Sequence, residues 1–297
     1  MNSFLSAFLR VVLLGAGTAV TFLPRFLEMR LGRVLGRFLL AIDFKRYKIA
    51  QENMARCLPE LSDEERRRLL VENYRHYGIL ALELLHYFSP FRGHFSDYAR
   101  RIAVLEGYEN WQAANARGKG VMCISLHMAN WELMLALAAL RGIPSTLVTR
   151  HLKPEWLHKR LEAERLAYGC RCVYAPNTLL VVLRALRHGE SVGIAMDQYM
   201  HPPAGIPVKF FGVEVDTLTA PTTLALRTGA ALLPVTQKRE PDGRVRIIMF
   251  PEIKPGPEQD LALATAPLIR VIEGMIRDNP SQWLWVHRRF KNLRQAS

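Results

Sequence analysis

Between residues 120 and 250 the chain alternates short apolar runs with stretches whose apolar residues recur at helical spacing. GVMCISL (120–126), STLVT (145–149), CRCVYA (170–175), SVGIAM (191–196), ALLPVT (231–236) and RVRIIMF (244–250) read as buried strands. Residues 131–140, 154–168, 179–187 and 220–228 read as helices lying between several of them. This alternation predicts an α/β fold with a mostly parallel sheet flanked by helices. In such sheets functional residues gather at the carboxyl ends of the strands. Upstream, Ser62-Asp63-Glu64-Glu65 supplies a cap and first-turn acids for a helix running to about Phe88, where Ser89-Pro90 and Gly93 break it.

The N-terminus has a different pattern. Residues 3–23 form a 21-residue apolar stretch with one charge, Arg10, and the uncharged part after it is 13 residues long. That is close to what a bilayer crossing needs, and Pro24-Arg25-Phe26 is a poor cleavage site for a signal peptide. A buried core helix is the alternative. Between Arg25 and Lys48, seven basic residues accompany Glu28 and Asp43, while Leu31, Val34, Leu35, Phe38, Leu39 and Ile42 recur at helical spacing. A basic amphipathic helix beside an apolar anchor suits an anionic leaflet, and the positive-inside rule puts the rest of the chain in the cytoplasm. The expected division is an anchor and amphipathic helix over 1–48, a helical segment over 49–107 and an α/β core over 108–297.

Composition narrows the partners. Forty Lys+Arg against 27 Asp+Glu give a formal charge of +13, which points to a polyanionic partner. No helix-turn-helix, RNP-like aromatic motif or zinc finger is visible, so anionic membrane lipid or a phosphorylated substrate is expected rather than nucleic acid. Cys57, Cys123, Cys170 and Cys172 are too few and too scattered for a disulfide scaffold and lack CxxC spacing. No resident metal or cofactor is expected.

One stretch joins a strand end to a helix start: Cys123-Ile-Ser-Leu-His127-Met-Ala-Asn130-Trp-Glu132. Asn130 is a good N-cap residue. On one straight helix His127 and Glu132 would stand about 140° apart, from 3.6 residues per turn. With His127 in the turn and Glu132 in the first helical turn, the two can meet. A carboxylate on one ring nitrogen leaves the other free as a base. The alternative is a strand-end histidine beside a surface glutamate. The spacing differs from HExxH, which argues against zinc proteolysis.

The HMANWE block resembles the HX4(D/E) motif of glycerolipid-type acyltransferases, in the variant found in the late acyltransferases of lipid A biosynthesis. Further blocks follow in the family's order: Asn53-Met54, Cys57-Leu58-Pro59-Glu60, Glu64-Glu65-Arg66, Thr149-Arg150, Asp197-Gln198, Pro207-Val-Lys209-Phe210-Phe211-Gly212, TAPTTLALRTGA (219–230), and Gln282-Trp283 through Lys291. His151-Leu-Lys-Pro154 departs from the Asn-Pro-rich stretch common in lipid A enzymes. The resemblance implies a membrane-bound O-acyltransferase at the cytoplasmic face of a bacterial inner membrane. Its donor would be an acyl thioester of acyl carrier protein or coenzyme A, and its acceptor a phosphorylated glycolipid, a lipid A precursor. His127 would deprotonate the acceptor hydroxyl and Glu132 would orient His127. Another glycolipid, phospholipid or aminolipid acceptor is the second reading, and a basic membrane- or nucleic-acid-binding adaptor the third.

Beyond the motif, Arg150 is expected to bind acceptor phosphate or steady an oxyanion, against a plain surface arginine. Asp197 and Gln198 would fix groups around the pocket or cap their loop. Lys209 is a candidate phosphate contact, and Phe210 and Phe211 candidate acyl-tunnel walls or core residues. Cys123, inside an apolar strand, reads as inert packing rather than a nucleophile. Trp283, Trp285, His287, Arg288, Arg289 and Lys291 suit a headgroup-level contact or a solvated helix face.

Overall fold

The computed structural model describes residues 3–174 and 178–294. Helices α1 (Ser3–Thr21) and α2 (Arg25–Ile42) meet at Pro24, and α3 (Phe44–Cys57) follows directly. The long α4 (Asp63–Leu85) opens with a reciprocal capping box between Ser62 and Glu65 and ends in a single 3-10 turn, His86–Phe88. After α5 (His94–Ile102) come β1 (Ala103–Glu106), α6 (Tyr108–Asn115), β2 (Val121–Ser125), α7 (Trp131–Leu140), β3 (Ser145–Val148), α8 (Glu155–Ala167) and β4 (Cys170–Val173). The chain continues through α9 (Thr178–Arg187), β5 (Ser191–Ala195), β6 (Gly205–Phe210), β7 (Val213–Leu218), α10 (Ala220–Thr228), β8 (Ala231–Arg239), β9 (Val245–Met249) and α11 (Leu261–Asp278). Ala175, the last residue of the expected strand over 170–175, lies outside the described residues.

Among the described residues, seven strands form one sheet in the order β1-β9-β8-β2-β5-β3-β4. The five from β8 to β4 are mutually parallel, as the strand–helix alternation implies, because each connection between parallel neighbours needs a crossover. The reversal comes at β9. The link from Arg239 to Val245 is too short for a crossover, so β9 turns back antiparallel on β8 and β1 pairs parallel with it at the edge. The PVKFFG block (207–212) forms most of one arm and the turn of the β6–β7 hairpin, where Phe211 (φ 50) and Gly212 (φ 78) supply the two left-handed residues a tight hairpin turn needs.

Helix α2 packs along α4 at a very close crossing. A Cβ added at Gly36 would lie 2.1 Å from the Tyr74 carbonyl oxygen, and one at Gly78 would lie 2.0 Å from the Gly32 carbonyl oxygen. Backbone touches backbone there, so no side chain can yield. Gly36→Leu is therefore expected to cost at least about 3 kcal/mol by overpacking, read as a lower melting temperature or loss of folded protein. The opposite faces of these N-terminal helices stay open. Phe4, Phe8 and Val11 on α1 and Phe26, Leu31, Val34, Phe38 and Ile42 on α2 are exposed. Residues 4–21 are long and apolar enough to cross a membrane by length and composition.

The C-terminal stretch is where the expectation of a surface contact fails. Trp283 and Trp285 are 1% and 0% exposed and Arg289 is fully buried. Two buried asparagines bind this segment: Asn53 donates to the carbonyls of Trp285 and His287, and Asn73 to those of Ser281 and Trp283. Buried backbone carbonyls need donors, and these two asparagines supply them, so the segment runs as a core strap.

Candidate active site

The β2–β5 register pairs Ser125 with Ala195. Continued two residues past the strand ends, it sets His127 opposite Asp197, and β3, next to β5, ends two residues before Arg150. Three neighbouring strand ends thus deliver a base, an acid and a cation to one crevice.

Asp197 grips His127 twice. Its Oδ1 lies 2.9 Å from the ring Nδ1, and its Oδ2 accepts the His127 backbone N–H at 2.9 Å. The Trp283 indole N–H donates to the same Oδ2 at 2.8 Å. A carboxylate on Nδ1 fixes the proton there, leaving Nε2 with its lone pair. Burial disfavours a charged imidazole, yet the charge and hydrogen bond of Asp197 outweigh it, and the pKa of His127 is raised; Glu132 adds to this and Arg150 opposes it. Asp197 answers in kind: burial works against its charge, but His127 pulls its pKa down to about 2. The Gln198 side-chain nitrogen sits 3.3 Å from Nδ1 and 3.4 Å from Nε2. Near-equal distances place it beside both ring nitrogens rather than along the Nε2 lone pair. Arg289 holds the Gln198 carbonyl at 2.9 Å, together with the Asp216 carbonyl and the Thr217 hydroxyl of β7.

The carboxylate on the ring is therefore Asp197, not Glu132 as the five-residue spacing suggests. Glu132 is in the first turn of α7, and Asn130, through its side-chain oxygen, accepts the Glu132 N–H at 3.2 Å. That helix start turns the Glu132 side chain toward α8. There it receives Arg165 through Nη2 at 2.5 Å and Nε at 3.1 Å, and the Tyr87 hydroxyl at 2.8 Å. Tyr168 completes the group with its hydroxyl 3.0 Å from that of Tyr87. Glu132 reaches His127 by its field rather than by a hydrogen bond. Arg165, Tyr87, Trp283 and Arg289 are site-building residues that the sequence reading does not single out for the site.

The other candidates separate. Arg150 is exposed, and its charge acts on both His127 and His287, which keeps it at the mouth of the crevice. Burial and neighbouring cations bring His287 down to about 4. Lys209 lies on the exposed side of the hairpin, in register with Glu214. Phe210 is not a free tunnel wall: it is fully buried, with Trp283 and Phe290 around its ring and the Arg289 guanidinium 4.7 Å from its centroid. Phe211 turns away under Arg277, 4.9 Å from its centroid. Burial lifts the Cys123 thiol to about 12, which keeps it protonated at neutral pH. Among the described residues no three or more His, Cys, Asp or Glu gather as metal ligands.

A strand-end histidine locked by a buried aspartate, with the exposed Arg150 near it, can take a proton from a hydroxyl bound beside an anionic group. The family model for bacterial lipid A biosynthesis acyltransferases matches residues 3–292. The chain is similar to the lipid A biosynthesis lauroyltransferase of Escherichia coli (strain K12), at 31% identity over 91% of this chain and 87% of that one. It is equally similar, at 31% identity over 90% and 84%, to the lipid A biosynthesis palmitoleoyltransferase of the same organism. A phosphatidylinositol mannoside acyltransferase of Mycolicibacterium smegmatis is 27% identical over 66% of this chain and 65% of its own length.

Proposed function

Since the chain belongs to the bacterial lipid A biosynthesis acyltransferase family, we propose that it moves one fatty acyl chain from a thioester onto a hydroxyl of a lipid A precursor. The donor is acyl carrier protein or coenzyme A, both of which suit a basic surface. The observation that carries the reading is the double hold of Asp197 on His127, which leaves Nε2 as the one ring nitrogen able to accept a proton. Nε2 takes the proton of the acceptor hydroxyl as its oxygen attacks the thioester carbonyl. The tetrahedral intermediate then expels the thiolate by breaking the C–S bond, and the imidazolium returns the proton to sulfur. Asp197 keeps the ring oriented and stabilises its charged form. Arg150 faces the acceptor phosphate or the developing oxyanion, and Gln198 offers a second donor beside the ring.

The exposed apolar faces of α1 and α2, interleaved with Arg30, Arg33 and Arg37, suit an anionic leaflet and would bring the crevice to a lipid acceptor. The full-length protein is expected in the membrane fraction at low salt. Deleting residues 1–24 should raise solubility and leave the sheet folded, because α2 keeps its packing on α4. Complete recovery of the full-length chain in the soluble fraction without detergent would remove the membrane assignment.

Mass spectrometry of total lipid from cells with and without the protein tests the acceptor. Loss of one acyl chain from lipid A is the expected result. Unchanged lipid A with a missing acylated glycolipid would favour the second reading, which has one observation behind it: the likeness to a phosphatidylinositol mannoside acyltransferase.

A further inference from the structure

In the last turn of α4, 44 residues before His127 of the HMANWE block, Glu83 is 0% exposed, a carboxylate that reaches no reacting group. Buried charge is costly, and a buried ion pair is weak evidence of a stabilising role. What Glu83 holds is more informative than the fact that it is paired. Its Oε2 accepts the Asn130 side-chain N–H at 3.1 Å, and Asn130 in turn caps α7 through the Glu132 N–H. Its Oε1 accepts Arg239 Nε at 3.1 Å and Arg25 Nη2 at 2.6 Å, and a second bond joins Arg239 Nη2 to Oε2.

Arg239 carries the hold onward by two routes. Its Nη1 meets His76 Nδ1, and His76 hydrogen-bonds the Ala129 backbone. Its backbone N–H and carbonyl pair with the Gln282 side chain at 2.7 and 2.9 Å. Gln282 then accepts the Ala129 N–H on its own carbonyl at 3.2 Å, next to Trp283, which holds Asp197. All these routes end on the turn between His127 and Glu132, or on the partner of His127.

That turn needs holding. Ala129 sits at φ 44, a left-handed conformation that a residue with a Cβ adopts only at a cost and keeps only when its surroundings fix it. We propose that Glu83 is a positioning residue for acyl transfer, anchoring through Asn130 and Arg239 the turn that presents His127. The proposal rests on His127 being the base, as in the function proposed above. The charged groups near His127 are Asp197 of the β5 end, Glu132 of α7 and Arg150 of the β3 end, and His287 of the C-terminal strap is a further titratable neighbour.

The test uses full-length protein in detergent and three variants: Glu83→Gln, Glu83→Asp and Asn130→Ser. Serine still caps α7 but is too short to reach Glu83, so Asn130→Ser cuts the link while sparing the helix. It is expected to lower kcat by about tenfold or more with KM for the thioester within about twofold. The melting temperature should change little. Glu83→Gln should lower kcat further, and in a ¹³C-histidine titration, with His127→Ala fixing the assignment, His127 should titrate at lower pH than in the wild type. If Glu83→Gln fails to fold, Glu83→Asp and Asn130→Ser carry both readouts. Wild-type kcat together with an unmoved His127 titration in the folded variants would overturn the proposal and leave Glu83 a packing residue. The titration needs no acceptor. A wild type inactive on a lipid A precursor, but with a His127 titration that moves in the variants, would retire the acceptor and keep the role of Glu83.

Discussion

Replacing His127 by alanine is expected to abolish acyl transfer, and replacing Asp197 by asparagine to lower kcat by about 10³- to 10⁴-fold, the scale seen when a base loses its orienting carboxylate. The two should be strongly non-additive, because removing the orienter means nothing once the base is gone. The pH profile separates orientation from simple damage. His127 must be neutral to act as a base, and Asp197 raises its pKa, so the acid limb of kcat/KM in the wild type lies above that of an ordinary histidine. Asparagine removes the charge while keeping a similar shape. The remaining activity of Asp197→Asn should therefore have its acid limb at lower pH than the wild type. Initial rates across pH 5–9 (a span wide enough to bracket an ordinary histidine at about 6.5) check this. An unmoved limb would show that Asp197 does not set the titration of the base.

Glu132→Ala should act mainly by stranding Arg165. Both side chains are nearly buried, and the pair is joined through two hydrogen bonds. Removing one partner leaves an uncompensated guanidinium and the Tyr87 hydroxyl without its acceptor, a loss of about 3–5 kcal/mol. Thermal unfolding should show a drop of roughly ten degrees, taking about 2–4 °C per kcal/mol. Glu132→Gln, which keeps an acceptor for Tyr87, should lose less. A double-mutant cycle on stability should couple Glu132 to Arg165 more strongly than to His127, because only the first pair shares hydrogen bonds. The reverse order would restore Glu132 as the direct partner of the ring. Activity should fall in Glu132→Ala as well, since Glu132 lies in the first turn of α7, which follows the catalytic loop directly.

The sequence carried His127 and Asp197 individually because each ends a recognisable apolar strand run. It did not show that they meet. That depends on β2 and β5 being neighbours, which is settled by how the whole sheet is ordered and not by spacing along the chain. The Glu132 reading failed for a related reason. The five-residue interval allows contact with His127, but the direction of the side chain follows from the Asn130 cap and from the charge of Arg165 on another helix. Arg165 itself lies in a helical pattern rich in charge, where nothing local distinguishes a buried ion-pair partner from a solvated arginine. The C-terminal Trp and Arg residues were legible as unusual and misread as a surface contact. The asparagines that draw them inward, Asn53 and Asn73, are more than 200 residues away in sequence. The β8–β9 reversal is legible in retrospect, from a link too short for a crossover.

The most direct measurement mixes purified full-length protein with a defined acyl thioester and a lipid A precursor, and follows both the lipid product and the intact protein by mass spectrometry. The expected result is one added acyl chain on the lipid with the wild type, none with His127→Ala, and no acylated protein at any time. Transfer that survives in His127→Ala, or an acyl chain found on the wild-type protein before it reaches the lipid, would contradict direct attack by an acceptor hydroxyl activated by His127.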